Sequence, residues 1–169
     1  MGLLLLLLTT LVSAHPDIYV KDGVISYGQC QRLLNYGFQN PIEALPIESQ
    51  ESKDLYPIFH TSIELYLEEG GFNIYPSITK DSGYMYYRFC AENVTRLSIP
   101  PLGTYASAFL FLNGNEWNSG GDWFFPRQNV TIHPQCGRML VFPTFFTYPH
   151  IMTPVRKGEF IEFIATWFK

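Results

Sequence analysis

Hydrophobic positions recur along this chain with two different periods, and the change comes at Tyr84. Before it the spacing is helical. Phe59, Ile63, Tyr66 and Leu67 fall at i, i+4, i+7 and i+8, which predicts a helix over about 55–69 that Gly70-Gly71 ends. An earlier helix is expected over about 26–36. Ser26 and Gln29 have the spacing of a capping box, Leu33 and Leu34 supply a buried side, and Gly37 supplies a stop. The segment 39–53 is polar and holds Pro41 and Pro46, so it reads as loop. A short strand over 17–23 with a turn at Asp22-Gly23 precedes all of this. From Tyr84 onward the apolar runs shorten and alternate. They predict strands over 84–89, 105–112, 123–125, 129–133, 139–142 and 160–168, divided by Pro, Gly and Asn. The run Ala108-Phe109-Leu110-Phe111-Leu112 has no polar face, so it needs cover on both sides. The pattern therefore describes a mainly β domain, a sandwich or jelly roll, with N-terminal helices packed on the outside of one sheet.

Composition fits an aromatic-rich core: 17 % of residues are Phe, Tyr or Trp and only 15 % are charged. The length of 169 residues suits one domain. A net charge of −4 with scattered basic residues lacks the footprint that a nucleic-acid partner requires. Residues 1–14 read as a signal peptide. The Leu3-to-Leu8 run continues into Leu11-Val12 and ends at Ser13-Ala14, a small-residue cleavage pattern, and is shorter than the about twenty residues of a membrane span. Residues 15–169 would then form a single domain of the secretory pathway, in the endoplasmic reticulum lumen or outside the cell, with no membrane span left after cleavage. Three cysteines, Cys30, Cys90 and Cys136, allow one internal disulfide whose pairing the sequence does not choose. Asn93-Val94-Thr95 and Asn129-Val130-Thr131 fit the glycosylation acceptor pattern, placing Asn93 and Asn129 at the surface if used. His60, beside an apolar stripe, reads as a partly buried surface histidine, and His133 as a surface imidazole.

An ordered set of segments adds a resemblance. Ser107 to Asn113, Gly120-Gly121-Asp122-Trp123-Phe124-Phe125, Pro134-Gln135-Cys136-Gly137-Arg138 with Met139 to Phe142, Pro149-His150, Pro154-Val155-Arg156-Lys157-Gly158 and Trp167-Phe168 resemble the iron(II) and 2-oxoglutarate dependent dioxygenases. Within them the chain is most similar to the prolyl 3-hydroxylases of the collagen-modifying pathway. Asp22 to Ser26 followed by Cys30 to Leu33 also resembles the start of that domain. The resemblance implies a double-stranded β-helix. It also implies Fe(II), 2-oxoglutarate and ascorbate as cofactors, and a secreted or collagen-like polypeptide as partner. The family's iron is held by a His-x-Asp pair and a distant His, which leaves open positions for the keto acid and oxygen.

Carried over residue by residue, the resemblance retains His150 as the distant histidine. The His-x-Asp position falls on Cys90-Ala91-Glu92, so Cys90 and Glu92 become candidate metal ligands. Glu moves the carboxylate out by about 1.5 Å, whereas ligand distances tolerate about 0.2 Å. Cys90 is equally readable as a buried thiol. The family's basic residue for 2-oxoglutarate falls on Phe160, and nothing basic follows Gly158 in that strand. Losing a charge-assisted pair costs about 1.5–3 kcal/mol. Arg156 and Lys157 precede the turn and are expected to face solvent. Two functions follow: a catalytically impaired binding or scaffold domain, a pseudoenzyme, or an active oxygenase using Cys90, Glu92 and His150 on prolyl or other side chains.

Overall fold

The computed structural model describes residues 15–39, 44–70, 80–90, 103–114, 120–157 and 160–169. In chain order these form β1 (Tyr19–Lys21), α1 (Tyr27–Gln39), α2 (Gln50–Glu69), β2 (Met85–Cys90), β3 (Ala106–Phe111) and β4 (Trp123–Phe125). β5 (Val130–Ile132), β6 (Met139–Pro143), β7 (Ile151–Met152) and β8 (Phe160–Phe168) follow. The strands build a five-stranded sheet in the order β1-β6-β3-β8-β2 and a three-stranded sheet in the order β5-β4-β7. Their pairing is antiparallel, and the two sheets face each other as in the expected double-stranded β-helix.

Side-chain alternation divides the core in two. Phe109, Phe111, Leu140, Phe142, Ile161 and Phe163 point from the large sheet toward Trp123, Phe125, Val130 and Ile132 of the small one. Their neighbours Ala108, Leu110, Met139, Val141, Ile164 and Phe168 point outward and are covered by Phe59, Ile63 and Tyr66 of α2 and Cys30 of α1. The uninterrupted apolar run of β3 is explained by this double cover: all six of its residues are buried.

Both helices differ from their expected ends. The Ser26 box forms as expected, with the Ser26 N–H donating to Gln29 Oε1 at 2.8 Å. Gly37, however, does not stop α1, which runs on to Gln39. A Cβ at Gly37 would collide with the Tyr86 ring, so this glycine serves the close approach of α1 to the sheet. α2 begins at Gln50, within the stretch expected to be loop, because Ser49 caps it and accepts from the Ser52 N–H at 3.1 Å. Of the polar stretch that suggested a loop, Gln50 to Lys53 form the first turn of this helix, with Ser52 buried.

Cys30 and Cys136 form the disulfide, with Cα atoms 6.3 Å apart, and tie α1 to the turn before β6. Arg138, from the same turn, grips the Asp22 carboxylate with two hydrogen bonds of 2.6 and 2.9 Å and so fixes the end of β1. Among the described residues, no helix is long and apolar enough to cross a membrane.

Candidate functional site

His150 leads into β7 and enters the space between the sheets, where it is 5 % exposed. Four rings enclose it. Trp123 of β4 stacks on the imidazole with centroids 5.0 Å apart and planes at 19°. Phe142 meets it edge-on at 5.1 Å, Phe125 lies at 5.7 Å, and Phe109 lies at 6.3 Å. Burial lowers its pKa to about 4, against a smaller opposing effect of the Tyr148 carbonyl, so the ring is neutral at ordinary pH. Nδ1 stands 3.3 Å from that carbonyl oxygen, which can only accept; the proton therefore belongs on Nδ1 and the lone pair on Nε2. The Trp123 indole N–H is buried beside this ring without a hydrogen-bond partner among the described residues.

Gly120-Gly121 positions this group. Both glycines have positive φ, and a Cβ on them would strike Pro154 and Ile161 respectively. The turn before β8 thereby closes directly against the entry to β4. Asp122 locks the arrangement through backbone and side-chain bonds to Thr153 at 2.8 and 2.9 Å.

The other expected ligands do not join His150 among the described residues. Along β2, Tyr87 and Phe89 turn inward, so alternation puts Cys90 on the outer face with Arg88, opposite Phe160 in the ladder. His150 and Cys90 thus lie on opposite sides of the large sheet. Glu92 and Asn93 lie outside the described residues. No three His, Cys, Asp or Glu side chains converge among the described residues.

Phe160 is also on the outer face, 40 % exposed, with the Arg88 guanidinium 3.9 Å above its ring. The residues that β8 turns toward the interior are Ile161, Phe163, Ala165 and Trp167, none of them basic. Phe163 stacks on Tyr87 and Phe89 at 5.2 and 5.7 Å and meets Trp123 edge-on at 5.4 Å. The outer face instead holds a polar cluster. Buried Glu162 accepts from the Tyr86 hydroxyl at 2.8 Å and pairs with Arg88 at 3.4 Å. Burial, then the bond to Glu162, pushes the Tyr86 pKa far up.

Iron and 2-oxoglutarate do not fit the described residues. A divalent ion with a dianionic keto acid needs several anionic or imidazole donors and a counter-cation. Among the described residues the interior offers one imidazole lone pair and one indole N–H, set among tyrosine and apolar side chains.

Two histidines acquire partners that spacing did not reveal. His133 is a surface residue as expected, and its Nδ1 stands 2.8 Å from Asp122 Oδ1. His60 is enclosed between α2 and the sheet, stacked on Tyr56 at 3.9 Å and 3.0 Å from Asp81 Oδ2. The Gly83 N–H and the Tyr84 hydroxyl also donate to Asp81, each at 3.0 Å.

No model of a known protein family matches the chain. Over 85 residues, 46 % of the chain, it is 35 % identical to prolyl 3-hydroxylase 1 of Gallus gallus and equally to that of Rattus norvegicus. The match spans 11 % of the length of those relatives. In three dimensions it is similar to the viral collagen prolyl hydroxylase of Paramecium Bursaria Chlorella virus-1. There the TM-score is 0.67 and the identity 17 %, over 90 % of this chain and 89 % of that one. A Pseudomonas putida prolyl-4-hydroxylase gives TM-score 0.67 and 15 % identity over 90 % and 92 % of the two chains. A prolyl hydroxylase from Trichoplax adhaerens, solved with a hypoxia inducible factor peptide, gives 0.64 and 15 % over 90 % and 83 %. The local sequence match and the shared double-stranded β-helix together support a prolyl hydroxylase-like domain.

Proposed function

We propose that this chain is a catalytically impaired prolyl hydroxylase-like domain of the secretory pathway that binds a secreted, proline-rich or collagen-like polypeptide. One observation carries the reading: His150 is packed among Trp123, Phe125, Phe142 and Phe109, and the interior row of β8 carries no cation. A packed apolar interior of that kind disfavours a dianion. Peptide binding is supported by the solved neighbours, of which one holds a peptide and another, the viral enzyme, was solved with 2-oxoglutarate. It is also supported by exposed aromatic side chains near the His150 loop. Tyr105, Phe145 and Phe146 are exposed, and Arg127 lies 6.0 Å over the Phe146 ring. Aromatic surfaces of this kind receive the polyproline helix, which loses little entropy on docking.

The test uses the purified full chain. Iron(II) and 2-oxoglutarate are added without oxygen, keto-acid binding is measured, and succinate is followed after oxygen is admitted. We expect neither binding nor succinate above the blank. Succinate formation that disappears in His150→Ala overturns the impaired-site reading and favours an oxygenase built on Cys90, Glu92 and His150. In parallel, a proline-rich collagen-like peptide is expected to bind, with affinity reduced roughly fivefold to tenfold in Phe146→Ala. Equal affinity in the variant removes this aromatic surface from the reading.

A further inference from the structure

The hairpin between β4 and β5 presents a modification site. Phe125 pairs with Val130 and Phe124 with Thr131, so residues 126–129 form the turn. Val130 points inward at 6 % exposure. Alternation along β5 therefore sends Thr131 outward, and Asn129, the last residue of the turn, is exposed as Thr131 is. Asn129 takes φ 54°, a left-handed conformation that asparagine tolerates better than most residues. Phe124 lies across from Thr131 on the outer face and beside Ile151 of β7, both half-buried. An amide at an exposed turn thus stands next to a hydroxyl two residues on and an aromatic ring across the ladder.

We propose that Asn129 carries an N-linked glycan whose first sugar rests on the Phe124 ring and covers the apolar row that Phe124 forms with Ile151. In the transfer, the bond formed joins Asn129 Nδ2 to the anomeric carbon of an oligosaccharide. The bond broken joins that carbon to its lipid pyrophosphate carrier, and the amide nitrogen loses one proton. The C–H face of a pyranose matches the flat apolar surface of a phenyl ring while its hydroxyls remain in water. The inference rests on the secretory reading above.

For the test, the full chain is expressed in a secreting eukaryotic cell and its peptides are mapped with and without an amidase that converts glycosylated Asn to Asp. Asn129 is expected to be modified in most molecules and bare in Thr131→Ala, a variant that keeps the asparagine in its left-handed turn. Stripping the glycan is expected to lower Tm by about 2–4 °C, and by less than about 1 °C in Phe124→Ala. Phe124→Leu, which keeps an apolar side chain without the ring, serves the same purpose if the alanine variant does not fold. Export with residues 1–14 removed and Asn129 bare overturns the site alone. A chain that keeps residues 1–14 and carries no glycan overturns the secretory reading with it. An equal Tm loss in wild type and both Phe124 variants overturns the role of the ring.

Discussion

The imidazole of His150 is buried among aromatic rings with its pKa lowered to about 4, and that makes the fold acid-sensitive in a defined window. Unfolded, the ring titrates near the ordinary histidine value of 6.5, so between about 6.5 and 4 the unfolded chain binds a proton that the native chain refuses. The resulting stabilisation is complete above that window and is lost as pH falls through it. Its size is of order 3 kcal/mol, from about 1.4 kcal/mol per pKa unit. Urea titrations of the metal-free protein at a series of pH values measure it, and His150→Phe is expected to flatten the curve there. Asp81 acts lower on the scale. Burial alone would raise its pKa, but hydrogen bonds from His60, Gly83 and Tyr84 outweigh that and hold it below the ordinary aspartate value of 3.8. Its contribution is therefore present above about 3.8 and declines only as pH falls below. Asp81→Asn is expected to lower stability at neutral pH and to leave the His150 window unchanged. None of this was readable from spacing, because the partners of His60 and His150 arrive from other elements.

Strand and helix types were legible where one period ran long enough to declare itself. The β-like apolar run over 160–168 matches β8 as it stands, and Phe59, Ile63 and Tyr66 mark the buried face of α2. β7, of two residues, is too short to carry a period. The site was less legible because faces depend on register. Moving a strand by one residue exchanges its faces, and the resemblance alone did not reveal that Phe160 points outward while Ile161 and Phe163 fill the interior. Gly37 shows the same limit for helices: it looked like a terminator and is a contact point. Gly37→Ala is expected to destabilise by about 1–3 kcal/mol through overpacking against Tyr86, read as a lower urea midpoint at unchanged slope.

The molecule as a whole is closed by long-range ties. The Cys30–Cys136 bridge spans a sequence separation of 106, and removing it is expected to cost about 4–5 kcal/mol by loop-closure entropy. Comparing denaturation of the oxidised protein with the Cys30→Ser/Cys136→Ser variant measures this. The sequence announced that one bridge was possible and could not choose it, since proximity of α1 to the turn before β6 exists only in the assembled fold. β1 is the sharpest case of such dependence. Tyr19 pairs with Val141, Asp22 is gripped by Arg138, and Asp17 accepts from the Tyr148 hydroxyl at 2.6 Å. A nascent chain still attached to the ribosome before those late residues emerge has nowhere to dock its opening strand. Docking of β1 must therefore wait until residues 138–148 have been made, and until then its backbone edge stays unpaired and open to wrong partners.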